Sequence, residues 1–420
     1  MACLLFLLAC NNQEKSMINS NVIDVESGVE NNVRLKTSDF GKTIRYIPLE
    51  TTDNGLVGRS PIIKVLRDYI VIEAQNSCLL FDKKDGRFIA EIGRMGQGPN
   101  EFSSNYSWTD EKEEFLYFQR QPNQLLKYDM KGNFSGNIRF STSPDMNGNF
   151  IGNIRFSTPL GLASHYLFTD TEIIGYFAGI NQQAQFALGF FDKEGSLKDS
   201  VPLLYPKREA IADEIVSITI HKGYNLYGSW SKAGVIVIDY KNDQRQLTVS
   251  NAARIWKNKD DIRFKEEFID TIFTVSNNTL IPSIIFHTGK YHWPLQESTL
   301  KKNTNDRIFI AEVTENNAFI FFQCIKGMYA DEPVLYHGLY EKETGQTKLG
   351  KDSDTIEDDL THFMPFTPMG LSTSGEFISL VEAWSVMEWL DKHPDAINND
   401  KLSFLRGLDA EMNPVVVLIE

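Results

Sequence analysis

The segment FDKKDG at residues 81–86 is followed along the chain by two variants of itself, YDMKG at residues 128–132 and FDKEG at residues 191–195. Each copy comes directly after a short apolar run. Aspartate bonds to its own backbone and glycine adopts a positive φ at little cost, so each copy predicts the turn of a β-hairpin. We expect the aromatic residue that opens each copy to lie in the core.

The spacing of these turns predicts a repeating unit. Phe81 and Tyr128 are 47 residues apart, whereas Tyr128 and Phe191 are 63 apart. A near-verbatim duplication lies between the last two, in which residues 132–147 are followed by a second copy at residues 148–163; without those 16 residues the spacing is again 47. Units of about 47 residues that hold several short strands are typical of four-stranded β-propeller blades. The sequence therefore predicts an all-β fold, a single β-propeller over residues 41–420 with room for about six to eight blades.

The end of the chain adds two expectations. Residues 381–390 and 401–408, which are separated by Pro394, predict a short helical insertion at about residues 381–408. Residues 415–419 (VVVLI) predict a strand. We expect this strand to pair with residues 44–49, because joining the two ends of the chain protects sheet edges. One copy of the duplication is expected to continue a strand, and the other to project as a loop or an added hairpin.

The first residues predict a targeting signal. Residues 4–9 are apolar but far too few to span a bilayer, and LLAC at residues 7–10 matches a lipobox. We therefore interpret residues 1–10 as a lipoprotein signal peptide that ends at the lipidated Cys10, and residues 11–40 as a polar tether and lead-in. No basic residue precedes the apolar run, so either the chain starts further upstream or the run has no targeting role.

Composition restricts the classes of partner. Hydrophobic residues make up 42% of the chain, which is enough for a packed core. The net charge of −14 argues against nucleic acids and anionic membrane surfaces, since both repel an acidic protein. Cys78 and Cys324 stand alone and far apart, and we expect buried thiols rather than a disulfide.

The glycine-rich segment GRMGQGPNEF at residues 93–102 is the strongest apparent phosphate loop, but its pattern does not fit one. A dinucleotide fingerprint needs Gly-x-Gly-x-x-Gly before a helix, and the residues that follow here show no helical pattern. We expect a crossover between two repeating units instead. The histidines form no zinc motif, and neither a metal nor a cofactor is expected.

Aromatic and histidine side chains in predicted loops and strand ends are the candidate ligand contacts. The sequence places Tyr227, Trp230, His287, His292 and Trp293 in such positions, where rings can stack on sugars or peptides. The alternative is that the same rings pack between the repeating units.

Four stretches together resemble a known family: IPLETTDNGLVGR (47–59), FDKKDG (81–86), IGRMGQGPNEF (92–102) and NPVVVL (413–418). They are similar to the six-bladed β-propeller lipoproteins of Gram-negative gut and oral bacteria, a largely uncharacterised family. The resemblance implies six blades of four antiparallel strands and agrees with the lipobox. It supplies no catalytic motif to transfer.

The expected function is that of a lipid-anchored propeller in the bacterial cell envelope, facing the periplasm or the outer surface. It would bind a ligand or serve as an interaction scaffold, and its partner would be a carbohydrate, a peptide or an envelope protein. The alternative is an enzyme, a lyase or hydrolase that acts on a saccharide at the mouth of the central channel. Converging histidine, arginine and carboxylate side chains at that mouth would favour the enzyme.

Lipidation of Cys10 can be tested directly. We expect the wild type to incorporate labelled palmitate and to sediment with membranes, because two or more acyl chains at about 0.8 kcal/mol per buried methylene anchor a protein stably. Cys10→Ser should abolish both properties, while the matched variant Cys3→Ser should keep them. Absence of label from the wild type would contradict the lipobox interpretation.

Overall fold

The structure is a computed structural model. It describes residues 21–59, 61–74, 76–142, 161–177, 186–205, 214–221, 235–249, 254–298, 304–330 and 332–420. These residues form an all-β fold of antiparallel sheets, as the sequence predicts, and the strands are numbered β1 to β29 in chain order.

The first three sheets follow one another along the chain. Sheet 1 consists of β3 to β6, at Ile62–Val65, Tyr69–Ala74, Ser77–Asp82 and Phe88–Glu91. Sheet 2 consists of β7 to β10, at Ser107–Thr109, Phe115–Arg120, Gln124–Asp129 and Phe134–Arg139. Sheet 3 consists of β11 to β15, at Ser141–Thr142, His165–Phe168, Ile173–Tyr176, Phe186–Phe191 and Ser196–Pro202. In sheet 3, β11 lies at the edge, parallel to β15.

Three further four- and five-stranded sheets follow. Sheet 4 consists of β19 to β22 and β1, at Ile255–Asn258, Asp261–Phe264, Thr271–Ser276, Thr279–His287 and Val22–Asp24. Sheet 5 consists of β23 to β26, at Ile308–Glu315, Phe319–Lys326, Val334–Glu341 and Thr347–Lys351. Sheet 6 consists of β27 to β29 and β2, at Gly370–Leu371, Phe377–Val381, Val415–Ile419 and Ile44–Pro48.

Between sheets 3 and 4 the chain forms a three-stranded sheet of β16 to β18, at Ile215–His221, Val235–Tyr240 and Arg245–Val249. Two α-helices are present in the described residues, α1 at Val25–Glu30 and α2 at Ala383–Lys392. Short 3₁₀ helices lie at Thr37–Asp39, Gly289–Tyr291, Leu295–Glu297, Asp352–Asp354, Pro394–Asn398 and Asp400–Gly407. None of the described helices is long and apolar enough to cross a membrane.

Buried side chains join the sheets in a cyclic order. Six hydrophobic clusters lie between sheets 1 and 2, 2 and 3, 3 and 4, 4 and 5, 5 and 6, and 6 and 1. The alternation of side chains along each strand produces this order. On β5, Leu79 and Phe81 pack towards sheet 6, whereas Cys78 and Leu80 pack towards sheet 2. The three-stranded sheet lies outside the cycle and packs against sheet 5 through Val237 and Leu247.

The count of six blades implied by the family resemblance is not confirmed, because the described strands form seven sheets. The predicted pairing of the chain ends is confirmed, since β29 pairs antiparallel with β2 from Ile44 opposite Ile419 to Pro48 opposite Val415. The predicted thiols are confirmed too: Cys78 and Cys324 are free and buried.

The lead-in and the C-terminal insertion both pack on the sheets. From β1 onward, residues 22–40 of the expected lead-in run past sheets 4, 5 and 6, and Val33 N donates to Leu349 O at 2.8 Å. The C-terminal helical insertion begins at α2 and continues as 3₁₀ helix, and its apolar side packs against Tyr46. The glycine-rich segment at residues 93–102 connects sheets 1 and 2, as expected of a crossover.

The repeated turn joins two neighbouring antiparallel strands in each case, as the sequence predicts: β5 and β6 in sheet 1, β9 and β10 in sheet 2, and β14 and β15 in sheet 3. The aromatic residues that open the three copies are at most 2% exposed. The glycines that close the copies, Gly86, Gly132 and Gly195, have φ of 77°, 85° and 92°. A Cβ on Gly86 would lie 2.1 Å from Pro48 O of sheet 6. A Cβ on Gly132 would lie 2.7 Å from Glu91 O of sheet 1, and a Cβ on Gly195 would lie 2.5 Å from Arg139 O of sheet 2. Each turn is therefore pressed against the outer strand of the preceding sheet.

Gly86 and Gly345 provide a matched test of this contact. Both have a left-handed backbone, with φ of 77° and 70°, but the nearest atom to a Cβ on Gly345 is 4.0 Å away. Gly345→Ala should cost about 1 kcal/mol from backbone strain alone. Gly86→Ala should cost roughly 2 kcal/mol more, because its Cβ displaces a neighbouring strand. Chemical denaturation measures both, and equal losses would show that the contact does not constrain the fold.

The first copy of the duplication supplies strands to two sheets. It contains β10, the outer strand of sheet 2, and β11, which pairs with sheet 3. Residues 143–160, which hold most of the second copy, lie outside the described residues. The prediction that the second copy projects as a loop therefore stays a prediction.

Two deletions test it. Removing residues 132–147 or residues 143–158 leaves one copy in the same place, and the products differ only in having Ile151 or Ser135 at one exposed position. We expect both to unfold cooperatively within about 1 kcal/mol of the wild type, the scale of loop-length effects. Loss of cooperative unfolding in both would mean that the second copy is an integral part of a sheet.

Candidate functional site

Polar side chains meet where one edge strand of each numbered sheet approaches its neighbours. These edge strands, which we call the first strands of sheets 1 to 6, are β3, β7, β12, β19, β23 and β27. β12 of sheet 3 contacts β7 of sheet 2 and β19 of sheet 4, and β27 of sheet 6 contacts β3 and β23. We call the polar group on and beside these strands the inner polar cluster; it comprises Lys64, Glu73, Tyr106, His165, Arg254 and Glu312. Such an arrangement of charged side chains in a protein interior is costly unless each charge is compensated.

Glu73 anchors one side of the cluster. Its carboxylate is fully buried, and Oε1 accepts hydrogen bonds from Lys64 Nζ and from Ser107 N at 2.7 Å. Lys64 Nζ also donates to Ser107 O at 2.7 Å. These bonds fasten the second strand of sheet 1 to the first strand of sheet 2. The second oxygen, Glu73 Oε2, is buried and has no hydrogen-bond partner among the residues that the structure describes.

Tyr106 and His165 lie beside this ion pair. Lys64 Nζ lies 3.9 Å from the centroid of the Tyr106 ring. Trp108 Nε1 donates to His165 Nδ1 at 3.4 Å, and this bond leaves the imidazole proton on Nε2. Burial and, secondarily, the charge of Lys64 lower the pKa of His165 to about 4. His165 is therefore a neutral group at pH 7, with a free N–H donor.

Glu312 reaches the cluster because of a β-bulge. Ile308, Ile310 and Val313 all face the core between sheets 4 and 5, which breaks the regular alternation of a strand. The register of β23 against β24 shifts between Ile310 and Glu312, and the extra residue turns Glu312 away from that apolar core. Bulges next to functional sites commonly redirect a side chain in this way.

The environment of Glu312 keeps its carboxyl protonated. Burial raises the pKa of Glu312 to about 8, although the charge of Arg254 acts in the opposite direction. In the described part of the chain, no group hydrogen-bonds to its buried Oε2. Burial first, and then the charges of Glu73 and Glu312, raise the pKa of Tyr106, so the Tyr106 side chain lies near both carboxyls.

A second set of buried charges holds Arg254 in place. Arg254 Nη2 donates to Glu267 Oε1 at 2.7 Å, and Tyr176 Oη donates to Glu266 Oε1 at the same distance. Lys265 Nζ donates to Glu266 O at 3.3 Å, and burial followed by the charge of Arg254 lowers the pKa of the Lys265 ammonium to about 8. Phe268 ends this segment with a φ of 50°, an uncommon conformation for a bulky residue.

Three groups of the inner polar cluster remain available to a ligand. Within the described residues, Tyr106 Oη, His165 Nε2 and the Glu312 carboxyl make no hydrogen bond, whereas Glu73 Oε2 is unpaired but fully buried. Tyr106, His165 and Glu312 are half-buried, so they still border accessible space. The set contains both donors and acceptors. No group of three or more potential metal ligands occurs in the described part of the chain.

The candidate residues from the sequence lie elsewhere. Trp293 is 3% exposed and packs edge-on against Phe268 and Tyr329. His292 is largely exposed, with Nδ1 at 3.0 Å from Asp270 Oδ2, and His287 Nε2 lies 3.5 Å from Glu26 Oε2. Tyr227, Trp230 and Cys10 are outside the described residues. The three described candidates are not part of the inner polar cluster.

Sequence reasoning missed the inner polar cluster because its members lie on or beside strands of five sheets and carry no common spacing. A weak signal does exist. Lys64 interrupts the apolar run IIKVL at residues 62–66, and Glu312 interrupts IFIAEV at residues 308–313. A charged residue within a buried strand needs a partner, but the sequence does not say which one.

Comparisons with known proteins agree with the fold. A crystal structure from Bacteroides fragilis NCTC 9343, of a protein described as exported (BF0058), has a TM-score of 0.55 and 16% identity, and the match covers 90% of this chain and 94% of that chain. At this identity the likeness shows the fold alone.

Two weaker structural likenesses carry no argument by themselves. The WD40 repeats of RRP9 have a TM-score of 0.38 and 10% identity, with 92% of this chain and 99% of that chain covered. The β-propeller domain of Myceliophteria thermophila Cps50 (Swd1) has a TM-score of 0.32 and 10% identity, with 73% and 89% covered. No curated protein matches the chain. A family described as a domain of unknown function (DUF4934) matches residues 20–420.

Proposed function

The chain belongs to the DUF4934 family. We propose that it is a lipid-anchored, six-bladed β-propeller of the cell envelope. In this proposal it binds a hydroxyl-rich small molecule, of the saccharide class, at the inner polar cluster. The proposal rests mainly on one observation: hydrogen-bond donors and acceptors on or beside the first strands have no partner among the described residues.

The cyclic order of the hydrophobic clusters supports the count of six blades. Sheets 1 to 6 each pack against two neighbours, and the sequence of contacts returns to sheet 1. β12 of sheet 3 contacts β19 of sheet 4 directly, although the three-stranded sheet lies between them in the chain. The three-stranded sheet is then an insertion between the third and fourth blades, seated on sheet 5.

The location at the cell envelope is supported by the lipobox that ends at Cys10 and by the likeness to a protein described as exported. The first described strand, β1, begins at Val22. Eleven residues lie between Cys10 and Val22. A segment of this length spans up to roughly 40 Å when extended, which is enough to hold the sheets clear of lipid headgroups.

Charge balance supports a neutral ligand. Lys64 is paired with Glu73, and Arg254 is paired with Glu267. His165 is neutral at pH 7, as argued above, and the Glu312 carboxyl is protonated. Each hydroxyl of a saccharide both donates and accepts, so it satisfies the mixed set of free groups without adding charge.

An enzyme that cleaves a saccharide is the second candidate. The specific observation in its favour is the pair of carboxyl groups near Tyr106 in unlike environments. Glu73 is ion-paired, whereas Glu312 is protonated at neutral pH. Unlike carboxyls in one site are the arrangement that general acid catalysis at a glycosidic bond requires.

The binding function can be tested by thermal unfolding of the full chain, because a ligand of the native state raises Tm. The probes are glucose, glucuronate, glucosamine and mixed soluble oligosaccharides. Tyr106→Phe should weaken the binding of a stabilising saccharide up to about tenfold, the value of one hydrogen bond. Tyr69→Phe, which alters a tyrosine outside the inner polar cluster, should leave it unchanged. If no saccharide raises Tm, binding is refuted; release of shorter saccharides would identify the enzyme.

A further inference from the structure

Glu312 differs from the other carboxylates of the inner polar cluster and its surroundings. Glu73, Glu266 and Glu267 each accept at least one hydrogen bond from a neighbouring side chain. Glu312 accepts none from the described residues, although its Oε2 is fully buried. The bulge in β23 turns this unpartnered carboxyl out of the apolar core. After burial and Glu73, its charge contributes to raising the pKa of Tyr106.

The geometry points to a role for Glu312 in selecting the ligand. We propose that the Glu312 carboxyl donates its proton as a hydrogen bond to an acceptor oxygen of the bound saccharide, and that an amino group at the same position is disfavoured. This inference rests on the proposed function, since it needs the saccharide to occupy the inner polar cluster.

The groups that face Glu312 from neighbouring elements leave its carboxyl without an ion-pair partner among the described residues. Arg254, just before β19, is held by Glu267 and does not pair with Glu312. Tyr106, just before β7, is near Glu312 and is itself a neutral hydroxyl. Lys265 follows β20, and its Nζ lies 3.5 Å from Ile310 O on the same strand as Glu312. On sheet 5 itself, Glu312 lies opposite Gln323, which carries no charge.

The sign of the pH dependence follows from these contacts. Burial raises the pKa of Glu312 to about 8, so the donor is present below that pH and is lost above it. A hydrogen bond from the protonated form raises that pKa further in the complex. Affinity for an oxygen acceptor should therefore be constant below pH 8 and fall about tenfold per pH unit above it. An amine ligand that needs ionised Glu312 would show the opposite trend.

Lys265 titrates in the same range, because burial and Arg254 lower the pKa of its ammonium to about 8. Glu312→Gln separates the two groups. Glutamine keeps an N–H donor of similar shape but does not titrate. Any fall in affinity that is due to Lys265 would persist in Glu312→Gln, whereas a fall that is due to Glu312 would disappear.

The experiment is calorimetric titration of the full chain with glucose, glucuronate and glucosamine between pH 6.5 and pH 9.5. We expect glucose to bind more tightly than either charged probe, with affinity falling about tenfold from pH 8 to pH 9, and Glu312→Gln to bind it with an affinity that does not change over that range. Glu312→Ala, which removes the donor, should bind more weakly than Glu312→Gln at pH 7.

Three outcomes would overturn the inference. Binding with no pH dependence, or with a dependence that persists in Glu312→Gln, refutes the role of Glu312 and leaves the proposed function standing. Tighter binding of glucosamine, strengthening as the pH rises towards 8, shows that Glu312 accepts from a cation instead. If none of the three probes binds at any pH, the proposed function fails and this inference fails with it.

Discussion

The close approach of each repeated turn to the preceding sheet is the constraint on which the rest of the structure depends. Gly86, Gly132 and Gly195 leave no room for a side chain between the turn and a backbone carbonyl of the outer strand before it. The requirement for glycine is therefore set by two sheets at once. Repeating the contact from one sheet to the next fixes how neighbours pack, and strand alternation then sends consecutive side chains to opposite neighbours.

This packing brings the first strands of the sheets together, and the side chains that meet there are polar rather than apolar. The Lys64–Glu73 pair lies within sheet 1 and hydrogen-bonds to Ser107 of sheet 2, and the Arg254–Glu267 pair lies within the segments around sheet 4. Each pair offsets the cost of removing a charge from water. The pairs therefore hold the interior in one arrangement rather than adding much stability. Among the described residues, Tyr106 Oη and His165 Nε2 have no hydrogen-bond partner.

Glu312 shows how backbone geometry and electrostatics act together. One extra residue in β23 moves the carboxyl out of the core between sheets 4 and 5, but not into bulk water. Its protonated state then follows from burial, which outweighs the nearby Arg254. The site thus offers a carboxylic acid, a neutral imidazole and a phenol at neutral pH, three groups whose hydrogen bonding suits hydroxyls better than ions.

The sequence by itself determined the all-β class, the hairpin turns at the three copies of the motif and the buried free thiols. It also determined the pairing of residues 415–419 with residues 44–48. Each of these features depends on local propensity, on the alternation of side chains or on the protection of a sheet edge. Only the tertiary structure decided the inner polar cluster, whose members range from Lys64 to Glu312 along the chain. The seventh sheet and the bulge before Glu312 were equally hidden. Register and burial are determined by how two strands pair and pack, and not by either strand alone. The partner and the protonation state of a charged residue are therefore set only when distant strands meet.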